Sequence, residues 1–97
     1  MLAVNPTNWG SPLGYQQITT LSSAVGLTVP SGANMALITC TTQNVRWRDD
    51  GTNPTASIGM LCLATGGDAG LWYKGDLSKL KFIEATASAA LNVSYYR

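Results

Sequence analysis

Histidine is absent from the 97 residues, and only 11% of them are charged. The first absence excludes a histidine-based catalytic triad and a histidine-ligated metal site. The second leaves less than half of the ~25% charge content usual for soluble domains. The net charge of +1 supplies no basic stripe for a nucleic-acid backbone. Two cysteines, Cys40 and Cys62, are too few for a disulfide-dense scaffold. No apolar run approaches the ~18 residues that span a bilayer. The opening Met1-Leu2-Ala3-Val4-Asn5-Pro6 lacks the basic and apolar regions of a signal peptide. Catalysis is therefore a poor first expectation. No cofactor, no metal, no direct nucleic-acid contact and no membrane contact are expected.

What is present is apolar and polar-neutral. Hydrophobic residues make up 45% of the chain. A chain of this length forms one domain and buries roughly two-thirds of its unfolded surface. Its polar surface must consist largely of Thr, Ser, Asn and Gln. Charge is depleted in the cores of protein interfaces, so such a surface suits a subunit packed against other protein. A stable neutral monomer is the plainer alternative. Both cysteines lie in apolar runs, as core thiols do. Two reduced thiols and a bridge between neighbouring strands both remain open.

Gly, Pro, Thr, Ser and Asn punctuate the chain, and helix signals are weak. Residues 1–14, with two Pro and two Gly, read as an extended N-terminal arm. Residues 15–97 read as the folded domain, its first strand starting at Tyr15. A short strand is expected over Val25–Val29. Met35–Thr41 is the best strand of the first half, with Ala36, Ile38 and Cys40 facing inward. Val45-Arg46-Trp47-Arg48 alternates with period two, Val45 and Trp47 on one face and the arginines on the other. Ile58–Leu63 is an apolar strand interrupted by Gly59, and Leu71–Lys74 is a short aromatic one. Asp76 caps a single helical or 3₁₀ turn. Leu80–Glu84 and Leu91–Tyr96 complete the set. About seven or eight short strands at this spacing predict an all-β, antiparallel β-sandwich or jelly-roll-like domain.

Few constellations carry chemistry. Arg46 through Thr55 is the most polar stretch. Its oxygen donors Asp49, Asp50, Thr52 and Asn53 do not have the spacing of a calcium loop. Adjacent carboxylates Asp49 and Asp50 point apart on an extended chain, unlike a glycosidase pair. A turn at Asp50-Gly51, with arginines and aspartates satisfying each other or the loop backbone, is the simplest reading. Contact with a neighbouring subunit through Arg46, Arg48, Asp49 and Asp50 is the functional one. Adjacent aromatics Trp72-Tyr73 and Tyr95-Tyr96 put one ring on each face of a strand. The outward rings are interface anchors or lie along the sheet. Asn92-Val93-Ser94 fits a glycosylation sequon that nothing else supports.

Three stretches resemble a family of small, β-rich bacteriophage structural proteins. They are Tyr15-Gln16-Gln17-Ile18-Thr19 leading to Leu27 through Ala33; Val45 through Thr55 followed by Gly59-Met60; and Gly75-Asp76-Leu77-Ser78 to Phe82-Ile83 with the closing Leu91 through Tyr96. The resemblance implies a non-enzymatic virion component, made in the host bacterial cytoplasm. A capsid decoration (cement) protein on the head lattice comes first, and a neck or tail adaptor second. It implies as partners further copies of the chain, as a homodimer or trimer, and the major capsid protein or other virion proteins. The contacts expected are Trp9 and Leu13 on the arm, Arg46, Arg48, Asp49 and Asp50 in the loop, and Trp72 and Tyr96 on the sheet. A carbohydrate-binding or host-adhesion module using outward aromatics is the alternative from another class.

Overall fold

The computed structural model describes residues 11–64 and 70–97. Among them the chain forms eight strands and one 3₁₀ turn. The strands are β1 (Pro12–Ile18), β2 (Val25–Gly26), β3 (Met35–Thr41), β4 (Val45–Arg48), β5 (Met60–Cys62), β6 (Leu71–Lys74), β7 (Lys81–Glu84) and β8 (Ala90–Tyr96). They make two antiparallel four-stranded sheets, ordered β1-β8-β3-β6 and β2-β7-β4-β5. β1 pairs with β8, β2 with β7, β3 with β6 and β4 with β5. The chain is thus a long antiparallel hairpin whose tip is the loop between β4 and β5. Two further pairings, β3 with β8 and β4 with β7, complete the sheets.

Period-two patterning puts one apolar row on the inner face of each sheet. Ala36, Ile38, Leu91, Val93 and Tyr95 from the first sheet, and Val45 and Phe82 from the second, are almost fully buried. They belong to one cluster with Leu21, Leu77, Leu80 and both cysteines. Two sheets that share one core in this way are held by transfer of apolar surface, about 1.5–3 kcal/mol for each large side chain. The expected inward row of β3 is the observed one. Met35, expected on the opposite face, is also buried, because β3 is a central strand and Met35 sits between Tyr96 and Lys74 of its neighbours.

Five expected boundaries shift, β7 starting at Lys81 rather than Leu80 and β8 at Ala90 rather than Leu91; the other three shift further. The first strand starts at Pro12 rather than Tyr15, which moves Leu13 out of the arm and against the core. The partner responsible is the chain's own C-terminal strand: the Ser11 and Arg97 backbones exchange two hydrogen bonds of 3.1 Å. Pro12 is tolerated because β1 is an edge strand with a register shift between Pro12 and Gly14. β2 is confined to Val25–Gly26, and β5 to Met60–Cys62. The 3₁₀ turn forms where expected: the Asp76 carboxylate accepts from the Ser78 amide at 3.0 Å.

Candidate functional site

The polar loop at the hairpin tip is satisfied within its own chain. Arg46 donates from Nε to the Ala56 carbonyl at 3.2 Å and from Nη1 to the Gly59 carbonyl at 2.9 Å, lacing the loop to β4. Arg48 donates to both carboxylate oxygens of Asp50. Asp50 also accepts from the Thr52 amide at 3.1 Å. The Arg48 bond, then the Thr52 amide, hold the Asp50 carboxyl below its ordinary pKa. Asp49 accepts from the Tyr73 hydroxyl at 3.1 Å, across to the other sheet. Burial, then that bond to Asp49, pushes the Tyr73 phenol up. At this loop tip the four charged side chains meet acceptors and donors of the same chain. Among the described residues no group of three or more Cys, Asp or Glu gathers for a metal.

The outer face of the first sheet brings two expected contact residues together. The Trp72 and Tyr96 ring centroids lie 5.5 Å apart, tilted at 47°, on opposite flanks of β3. Further along this face Tyr15 is 66% exposed. Its hydroxyl donates to Asn92 Oδ1 at 2.7 Å, and Gln17 Nε2 donates to the same oxygen at 3.1 Å. These residues share a face because Tyr15 and Gln17 pair with Ser94 and Asn92. Trp9 lies outside the described residues, and Leu13 faces its own core. Tyr95 turns inward, as alternation against Tyr96 requires.

A third region had no counterpart among the expected contacts. At the end of both sheets Ile58, Met60, Leu61 and Leu63 are exposed, Met60 to 60% and Ile58 to 59%. Between β5 and β6 lies a cavity of about 540 Å³, lined by Thr39, Cys40, Trp47, Cys62, Leu63 and Leu71 among others. Cys40 and Cys62 are buried, and the Cys40 thiol donates to the Cys62 carbonyl at 3.0 Å. The sequence does hold a signal for this region. No charge occurs from Gly51 through Gly67. An apolar run reads as core, however, until the fold leaves its strand at an edge.

Comparison with protein-family models, curated proteins and solved structures finds no significant match to this chain.

Proposed function

We propose that this chain is a non-enzymatic structural protein of a bacteriophage virion, a jelly-roll decoration protein that binds the head lattice and stabilises it. The observation that carries this reading is the strand pairing. Pairings 1–8, 2–7, 3–6 and 4–5, with sheets ordered 1-8-3-6 and 2-7-4-5, support reading the two antiparallel sheets as a jelly roll, an architecture used by viral capsid and lectin domains. A fold alone does not assign a role. The resemblance of Val45–Thr55 and of the closing Leu91–Tyr96 to phage structural proteins supports the virion branch, as does a surface depleted of charge. The test is quantitative mass spectrometry of purified particles from the phage that encodes the chain, with thermal release of DNA from particles with and without it. Copies matching the lattice and earlier release in the deletion are expected. A few copies per particle would point to the neck or tail adaptor, and absence from particles would overturn the reading. Removing residues 1–10, a cut that spares β1, is expected to lower occupancy while the domain stays folded.

Tyr15 favours a second reading, a glycan-binding face. An exposed ring whose hydroxyl is held by Asn92 beside Gln17 offers a stacking surface next to polar donors and acceptors. Tryptophan fluorescence during titration with a glycan panel tests it. A shift lost in Tyr15→Ala or Trp72→Ala supports this reading, and no response across the panel removes it.

A further inference from the structure

We infer that residues 1–10 fold back onto the outer face of the first sheet of their own chain, with Trp9 packed against Leu37, Trp72 and Tyr96. An antiparallel sheet with its other face on the core usually turns polar side chains to water. This one does so only toward one end, where Gln17, Asn92 and Thr39 lie in register. The next outward row is Tyr15, Ser94, Leu37 and Trp72, and the one after it is Pro12, Tyr96, Met35 and Lys74. These two rows bring three aromatic rings together with Leu37 and Met35. Leu37, Trp72 and Tyr96 are half-buried there. Met35 is 5% exposed yet stands outside the core cluster, on the side turned away from it.

Residues 1–10 lie outside the described residues, but their point of entry is fixed at this same end. Ser11 exchanges two backbone hydrogen bonds with Arg97, and Pro12 pairs with Tyr96. Trp9 is therefore two residues from a backbone held beside Tyr96. Crossing from β1 over β8 and β3 to β6 takes three inter-strand spacings, about 14 Å. Ten extended residues reach about 33 Å, so the segment spans the patch with length to spare. Gly10, between Trp9 and Ser11, gives the backbone the freedom to reverse direction there.

The chemistry of the segment matches the face. Residues 1–10 contain no charged side chain and bring Leu2, Val4 and Trp9. The two apolar rows contain no carboxylate, and their one cation, Lys74, is exposed at the border. Packing this segment there desolvates no charged side chain. The tether also gives the segment an effective concentration in the millimolar range, an advantage that a separate molecule lacks. A tryptophan buries about 150–250 Å², and the Trp72–Tyr96 ring pair, 5.5 Å between centroids, offers it an aromatic seat.

The experiment is nuclear magnetic resonance on the full chain. Nuclear Overhauser contacts are expected from the Trp9 ring to the Leu37 methyls and to the rings of Trp72 and Tyr96. Mixing isotope-labelled with unlabelled chain should show none of them between molecules. Trp9→Ala is expected to shift the Leu37 methyl and Trp72 ring signals, while those of Ile38 and Val93, buried on the inner face, stay in place. Leu37→Ser should move the Trp9 indole signal to the position of an unstructured tryptophan. Thr41→Ala, at the exposed end of the same strand, should leave it unchanged. Retained amide dispersion in β3 and β8 shows that each variant still folds. A Trp9 ring without contact to the face overturns the inference, as does a contact that survives Leu37→Ser. Contacts found only between labelled and unlabelled chains would overturn it too, and would give the face to the arm of a second copy. The contact is read in the free chain and the copy number on particles, so either can fail alone.

Discussion

Where β1 and β2 end the two sheets, side chains tie one sheet to the other. Where β5 and β6 end them, the described residues leave a gap. At the first side Gln16 is the tie. Its carbonyl accepts from the buried Tyr95 hydroxyl at 2.6 Å and from the Thr28 amide at 3.1 Å, while its amide donates to Thr28 Oγ1 at 3.3 Å. One polar side chain thus connects β8 to the segment that follows β2. At the second side the described links include the edge-on contact of Trp47 with Tyr73, 6.2 Å between centroids, the Tyr73 hydroxyl on Asp49 and the Cys40 thiol on the Cys62 carbonyl. These leave the 540 Å³ cavity and the apolar strip beside it. The second side keeps the apolar side chains of Ile58, Met60, Leu61 and Leu63 in water.

The contrast breaks most sharply at two glycines, one just before the edge strand β6 and one inside the edge strand β1. Gly70, just before β6, has φ of +108°, and a Cβ there would lie 2.8 Å from Thr39 Cγ2 and 3.1 Å from the Ile38 carbonyl oxygen. Gly14, in β1, would place its Cβ no closer than 3.7 Å to Pro30 Cγ. Urea unfolding of Gly70→Ala is expected to show a loss of about 2–4 kcal/mol, and Gly14→Ala a change within about 0.5 kcal/mol. Equal effects would mean that the open side tolerates displacement of β6 from β3.

A smaller effect is expected from the tie itself. Gln16→Ala leaves the Tyr95 hydroxyl buried without its acceptor and should cost about 1–3 kcal/mol. Tyr95→Phe removes the other partner, so the double variant is expected to cost less than the sum of the two. Burial pushes the Tyr95 phenol up to about 12. The folded chain therefore keeps this proton where an unfolded tyrosine, near pH 10, releases it. The resulting stabilisation is full below about pH 10 and is lost as pH rises toward 12, with a slope of at most about 1.4 kcal/mol per pH unit. Tyr95→Phe should flatten that alkaline limb in melts taken across the range. An unchanged limb would assign it to another group.

The smallest effect belongs to the hairpin tip. Asp50, held ionised by Arg48 and the Thr52 amide, stays charged at a lower pH than in the unfolded chain. Its contribution is present above the ordinary carboxylate range and is lost as pH falls through its lowered pKa. Exposure to water screens it, so Asp50→Asn should flatten the acid limb of the melting profile only slightly. A large change would mean that the tip is coupled to the open side through Arg46 and Gly59.

Strand existence was legible wherever alternation was strong. Ala36-x-Ile38-x-Cys40 and Leu91-x-Val93-x-Tyr95 declare their inner faces, because successive side chains must point to opposite sides. The Asp76 cap was legible because a carboxylate two residues ahead of a free amide is a local arrangement. Residues of the loop tip were legible as a set, but their individual bonds were not. Pro12–Gly14 looked irregular by composition and became strand because β8, far along the chain, supplies the partner. Ile58–Leu63 misled in the other direction. Its apolar run predicts burial, yet of the side chains in β5 only that of Cys62 is buried.

The amino-acid sequence by itself determined that the chain is all-β, which residues form the inner rows, and that it holds little charge with which to repel a neighbour. Those properties follow from local alternation and composition. Only the tertiary structure decided which strands became edges, that Gln16 ties the sheets on one side, and that Ile58, Met60, Leu61 and Leu63 face solvent on the other. Edge position depends on which distant strand takes each place in the sheet, and no local pattern of side chains encodes that choice.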